Sequence, residues 1–253
     1  MNNDNKMAGS KRLLAISDIH GHRDGLMRLL HQAAYDPAQD QLLLLGDYID
    51  ADNPVSWGTL EVVRELVSQG AIAIPGNQEL KLAAMSKRHR NRGRLPGQQH
   101  QYVKWIHSLP LCIIDYDILF VHAGLRPGIP LREQSVRDMT EIREDFFTYP
   151  LRHLASLIDN DESNRSKPLW RRIMFGHTPT SKLGAAPGDI WTDGRRIGID
   201  TGAKHGQRLT LLDVREGITY SCPTEPGYRS GECSQGIALG VKIQLHHDAG
   251  PSI

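Results

Sequence analysis

Six side chains able to donate oxygen or nitrogen to a cation stand where short apolar runs end. Residues 13–17 (LLAIS) stop at Asp18, with His20 two positions on, and residues 41–45 (QLLLL) stop at Gly46-Asp47. Residues 71–75 (AIAIP) stop at Gly76-Asn77, 118–121 (ILFV) at His122 and 173–175 (IMF) at Gly176-His177. Carboxylate, amide oxygen and imidazole, with no thiolate, suit divalent Mn, Fe, Zn or Ni better than calcium. Each residue alone also has a plain structural reading, because Asp after a strand commonly caps a turn and an isolated His is commonly hydrogen-bonded structure. Their shared position at the ends of successive runs is what argues for one centre.

The elements that would position them follow from periodicity. Short apolar runs that break at polar residues read as buried strands entering loops. Between them, residues 24–34 (DGLMRLLHQAA), with Asp24 as a cap, and 60–68 (LEVVRELVS) repeat apolar positions at helical spacing, as do 79–85 (ELKLAAM). The result is a series of strand–helix units, so a parallel sheet would bring Asp18, Asp47 and Asn77 to one edge. The basic stretch 87–101 (KRHRNRGRLPGQQHQ) is expected as an exposed loop or cap over the site, before an amphipathic pattern resumes over 102–111. Residues 196–199 (RIGI) end at Asp200, and 209–214 with 218–222 form a hairpin pattern.

The chain of 253 residues is long enough for one α/β domain, expected over 11–222 after a flexible polar segment 1–10, with a loosely ordered Gly-, Pro- and Ser-rich tail over 223–253. Lys plus Arg number 30 against 29 Asp plus Glu, which gives no overall field toward nucleic acid or a membrane surface. There is no apolar run of bilayer length. Cys112, Cys222 and Cys233 are odd in number and make no CxxC pair, which argues against a disulfide framework and for a cytoplasmic location. Nothing in the pattern speaks to oligomeric state.

Five segments together carry a family resemblance: Asp18-Ile19-His20-Gly21, Gly46-Asp47-Tyr48-Ile49-Asp50, Gly76-Asn77-Gln78-Glu79, Val121-His122-Ala123-Gly124-Leu125 and Gly176-His177-Thr178. In this order they resemble the motifs of calcineurin-like metallophosphoesterases, and most closely the bacterial members of the phosphoprotein phosphatase branch, over about residues 12 to 215. The resemblance implies a four-layer αββα sandwich with the site at the strand ends. It also implies two divalent cations, manganese first among them, one held by Asp18, His20 and Asp47 and the other by Asp47, Asn77, His122 and His177. Asp47 would bridge, and a hydroxide activated between the cations would attack phosphorus in line without a phosphoenzyme. The implied substrate is a phosphorylated one, phosphoprotein or nucleotide. A serine/threonine protein phosphatase-like phosphomonoesterase is the first reading, with a nucleotide phosphoanhydride hydrolase of the diadenosine polyphosphate type as the alternative.

The chain departs from the family pattern at two places. Gln78 stands where the family has a histidine that protonates the leaving oxygen, so Asp50 keeps its place without the partner it would orient. Ala51 stands where that branch has a phosphate-binding arginine, while Arg143 matches a second phosphate-contacting position. A weakened enzyme, or a phosphate-binding pseudo-phosphatase, is a further reading of those departures.

Overall fold

The apolar runs before Asp18, Asp47, His122 and His177 become strands buried on both faces, and side-chain alternation divides each between two different cores. The computed structural model describes residues 11–90, 97–150, 170–225 and 233–237. The first half of the chain gives β1 (Arg12–Ile16), α1 (Arg23–Gln32), β2 (Asp40–Leu44), α2 (Thr59–Ser68), β3 (Ile72–Ala73), α3 (Asn77–Arg90) and α4 (Gly97–Ile106). The second half gives β4 (Cys112–Asp115), β5 (Ile118–Val121), α5 (Val136–Glu141), α6 (Glu144–Phe147), β6 (Arg172–Phe175), β7 (Trp191–Thr192), β8 (Arg196–Gly198), β9 (Arg208–Asp213), β10 (Ile218–Pro223) and β11 (Ser234–Ile237).

Two mixed sheets result, ordered β11-β10-β9-β1-β2-β3 and β4-β5-β6-β8-β7. β1, β2 and β3 are parallel neighbours, as are β5, β6 and β8. Between the sheets Leu13, Ala15 and Leu43 meet Ile118, Phe120, Met174 and Ile197. The alternate residues Leu14, Ile16, Leu42 and Leu44 turn outward onto Leu26, Leu29, Leu60 and Val63 of α1 and α2. On the other outer face Leu119, Val121, Ile173 and Phe175 meet Met139, Ile142 and Phe146. The expected αββα sandwich is therefore present as three cores separating four layers. At the start of β1, Arg12 holds Asp40 on β2 through Nε at 2.9 Å and Nη2 at 2.7 Å.

Four expectations change. The basic stretch 87–101 is not one loop: α3 continues to Arg90 and α4 begins at Gly97, since the Lys and Arg of the first part and the Gln residues of the second extend a helix readily. The rest of that expected loop, 91–96, lies outside the described residues. Asp24 does not cap α1, whose N-cap is His22; it lies in the first turn, where its charge complements the helix dipole.

The tail beyond 223 returns in part to the sheet, because β11 pairs antiparallel with β10 and Cys233 forms a disulfide with Cys222. That bridge removes the cysteine argument for a cytoplasmic location, and Cys112 is the free thiol among the described residues. Segments 1–10 and 238–253 lie outside the described residues. No helix among the described residues is long and apolar enough to cross a membrane.

Candidate metal centre

The loops after β1, β2 and β6 carry their donors on unusual backbone. Asp18, His20, Asp47 and His177 have φ of 54°, 47°, 52° and 64°, four of the six non-glycine residues with positive φ among those described. A side chain in this region costs on the order of 1–2 kcal/mol, so its concentration here points to function. The loops are stitched to one another: Asp18 N–H donates to Gly46 O and His20 N–H to Asp47 O, both at 3.0 Å. Gly76 and Gly176 let them close, because a Cβ at the first would strike the Asp47 carboxylate and at the second that of Asp18.

Two donor groups form there, Asp18–His20–Asp47 and Asp47–His122–His177, each with one atom per residue within 4.8 Å of the others. They share Asp47. Its Oδ2 lies 3.7 Å from His20 Nε2 and its Oδ1 lies 3.5 Å from His122 Nε2. Asn77 Oδ1 stands 3.4 Å from the same His122 nitrogen, which adds the sixth expected donor. The far side of each ring is fixed: His122 Nδ1 meets Leu45 O at 2.8 Å and His20 Nδ1 meets Asp50 Oδ1 at 3.0 Å, so both Nε2 atoms face inward. Asp18 Oδ2 accepts His177 N–H at 2.8 Å and the Ser17 hydroxyl.

The electrostatics fit a cation. Burial, then the nearby Asp18 charge, raises Asp47 above the ordinary carboxylate range despite His122 and His20. Burial also opposes charge on His20, but Asp18 and Asp50 outweigh it and push the ring up to about 10. Burial followed by repulsion from His122 and Arg143 takes His177 down to about 3, leaving a neutral imidazole. Its Nε2 is buried without a hydrogen-bond partner among the described residues. An orphaned neutral imidazole beside two buried carboxylates is what divalent cations would satisfy.

A sequence model of the calcineurin-like phosphoesterase family matches residues 11–208. The chain belongs to that family. Members of this phosphoesterase family use divalent metals, and the two donor groups lie within the matched region. Among curated relatives, symmetrical bis(5'-nucleosyl)-tetraphosphatase of Aromatoleum aromaticum is 33% identical over 176 residues, covering 66% of this chain and 58% of that one. The corresponding protein of Dechloromonas aromatica is 34% identical over 122 residues, covering 45% of this chain and 44% of that one. The chain thus spans about half the length of the curated relatives it matches. In fold it is similar to the crystal structure of a candidate diadenosine tetraphosphatase, with TM-score 0.62 and 23% identity over 87% of this chain and 96% of that one. It is also similar to a serine/threonine protein phosphatase from Saccharomyces cerevisiae, with TM-score 0.56 and 14% identity over 96% of this chain and 84% of that one.

Around the phosphoesterase centre the departures have a definite geometry. Gln78 lines the cleft; its N–H donates to Asp47 Oδ1 at 2.9 Å and its Oε1 accepts the N–H of Ala51 at 3.1 Å. Asp50 lies well below the ordinary carboxylate range, first because of its hydrogen bond to His20 and then, against some burial, because of Lys204. Arg143 also lines the cleft, with Nη1 donating to His177 O at 3.2 Å and Thr178 Oγ1 at 3.3 Å.

Sequence reasoning missed three participants. Glu79, fully buried, organises the turn at Asp47. Lys204 donates to Asp50 Oδ1 at 2.6 Å from the turn after β8. Asp200 lines the cleft, its carboxyl raised well above the ordinary range by burial and then by Asp18. Glu79 was visible as the fourth residue of the Gly76 motif and Asp200 as another strand end, whereas Lys204 carried no signal.

Proposed function

We propose that this phosphoesterase hydrolyses phosphoanhydride bonds in nucleotides of the dinucleoside polyphosphate type. In this reading Asp18, His20 and Asp47 hold one divalent cation and Asp47, Asn77, His122 and His177 hold a second, with manganese the first candidate. The observation that carries the substrate class is Gln78. Its carbonyl is tied to Ala51 N–H, and an amide cannot give up a proton at physiological pH, so the usual donor to the leaving oxygen is missing. A serine or threonine alkoxide needs that proton; a phosphate leaves as a stable anion. The names of the curated relatives support the same choice and reverse the order in which the sequence alone ranks protein and nucleotide substrates.

When bound, the two cations would polarise a phosphoryl oxygen and make water acidic enough to attack near neutral pH. The chain's residues do the positioning. Leu45 O and Asp50 aim the His122 and His20 rings, and Asp47 offers one oxygen toward each donor group. Arg143 lines the cleft wall, where its guanidinium would meet the phosphoryl oxygens.

The test is product analysis with purified, manganese-reconstituted protein. Diadenosine tetraphosphate should yield ADP, a phosphoserine peptide should release phosphate far more slowly, and Asp47→Asn should lose turnover of both. Preferential dephosphorylation of the peptide would restore the protein phosphatase reading. Tight phosphate binding with no turnover of either substrate would make the protein a phosphate-recognition module.

A further inference from the structure

The cleft contains a cation that the family motifs do not account for. Lys204 lies in the short turn Ala203–His205, bracketed by Gly202 with φ 86° and Gly206 with φ 70°, which let the chain reverse and bring the lysine back over the centre. Its Nζ is 2.6 Å from Asp50 Oδ1, the same oxygen that meets His20 Nδ1 at 3.0 Å. The ammonium is thus one carboxylate oxygen removed from an imidazole of the donor cluster. It shares the cleft wall with Gln78, Arg143 and Asp47. Its side chain keeps 41% exposure, so one N–H is committed to Asp50 while others remain open to an incoming anion.

We propose that Lys204 is a catalytic residue that binds the departing phosphate, supplying from a different element the positive partner that Gln78 and Ala51 do not. The proposal rests on the phosphoanhydride reading above and deepens it. In the step, a water oxygen bonds to phosphorus, the bridging P–O bond breaks, and its electron pair stays on the departing phosphate; the water proton goes to solvent. The ammonium donates a hydrogen bond to the departing oxygen and keeps its own proton, which is sufficient for a leaving group that is stable as an anion. Asp50 holds the lysine in place, and the same carboxylate aligns His20. One residue therefore couples cation binding to leaving-group recognition.

Two measurements test it on the full-length, manganese-loaded protein. The first is calorimetric binding of imidodiphosphate, a diphosphate whose bridge resists hydrolysis, against inorganic phosphate. If one phosphoryl group sits on the centre and the next on Lys204, Lys204→Met should weaken imidodiphosphate by about ten- to a hundredfold, as loss of a charge-assisted hydrogen bond predicts, and inorganic phosphate by less than threefold. Lys204→Arg should keep most of the difference. The second is kcat on diadenosine tetraphosphate, which should fall by a similar factor in Lys204→Met with manganese content unchanged.

Equal weakening of both ligands, or no weakening of either, would overturn the assignment. Loss of manganese with imidodiphosphate affinity intact would reduce Lys204 to a support for Asp50 and also overturn it. The two readings separate cleanly: wild-type protein that cleaves only aryl or alkyl esters would refute the phosphoanhydride function, while the binding comparison would still decide whether Lys204 contacts a second phosphate.

Discussion

The carboxylate of Glu79 accepts the backbone N–H of Asp47 at 2.8 Å, with Glu79 fully buried. The same side chain takes the N–H groups of Tyr48 at 2.8 Å, Ile49 at 3.3 Å and Gly76 at 2.8 Å. One side chain thus closes the turn that holds Asp47 at positive φ and ties it to the start of α3. Burial and then the Asp47 charge push the Glu79 carboxyl up to about 7, against the pull of these N–H groups.

Glu79→Ala should therefore destabilise the protein by about 3–5 kcal/mol, because several buried N–H groups lose their acceptor together. Glu79→Gln keeps the shape and one acceptor oxygen and should lose less. Denaturant unfolding compares the two, and elemental analysis should show metal loss in Glu79→Ala. Wild-type stability in that variant would mean that the N–H groups find other acceptors.

A shared carboxylate makes an unequal prediction for two neighbouring substitutions. Asp47 belongs to both donor groups and His20 to one. Asp47→Ala should deplete bound metal at both positions, and His20→Ala chiefly at one. The metal-to-protein ratio of each purified variant decides it; full occupancy in Asp47→Ala would remove the bridging assignment.

The parts of the centre legible in the sequence are those fixed by strand ends. Asp18, Asp47, Asn77, His122 and His177 each follow an apolar run that became β1, β2, β3, β5 or β6; parallel pairing aligned the ends within each sheet, and the packing of the two sheets brought the two sets together. What stayed hidden depends on long-range closure. The positive φ at Asp18 and His20 exists because the loop after β1 bonds to that after β2. Lys204 acts across 154 positions of chain through one turn. The bridge from Cys222 to Cys233 depends on β11 pairing with β10, and Ser234–Ile237, SQGI in a Gly- and Ser-rich segment, has none of the alternation that announces a strand.

The protonation of His20 should make metal binding pH-dependent. In the metal-free protein Asp18 and Asp50 overcome burial and hold the ring up to about 10, whereas its unperturbed value is 6.5. A cation on Nε2 requires the neutral ring, so below about 10 binding must displace a proton, and affinity should rise with pH until that value. The sign for folding is opposite. Because the folded value is the higher one, the shift stabilises the metal-free protein fully below about 6.5, and that contribution is lost as pH rises toward 10. Calorimetric titration with manganese at pH 8, in two buffers of different ionisation enthalpy, should show about one proton released. Asp50→Asn, which removes one of the two carboxylates, should release fewer; no release from the wild type would mean that the ring is already neutral.

Gln78→His tests whether the site has exchanged an acid for a cation. The new ring would stand beside Asp50, whose Oδ1 already serves His20 at 3.0 Å and Lys204 at 2.6 Å, so imidazole and ammonium would compete for one carboxylate. A histidine that wins even part of the time is a proton donor near neutral pH, which glutamine is not. Phosphoserine hydrolysis should then accelerate by about ten- to a thousandfold, within the range that general acids contribute, because its alkoxide must be protonated as it leaves. Diadenosine tetraphosphate should gain little, since its departing phosphate needs charge compensation and not a proton. Combining Gln78→His with Lys204→Met should enlarge the phosphoserine gain, because Asp50 is freed to orient the ring, while turnover of the anhydride falls; the double-mutant cycle measures that coupling directly. The comparison is made at saturating manganese, so that altered metal affinity cannot imitate a chemical effect. A uniform change on both substrates would assign Gln78 to metal or phosphate binding, and the selective gain would show that the leaving group's need for a proton is what Gln78 and Lys204 together set aside.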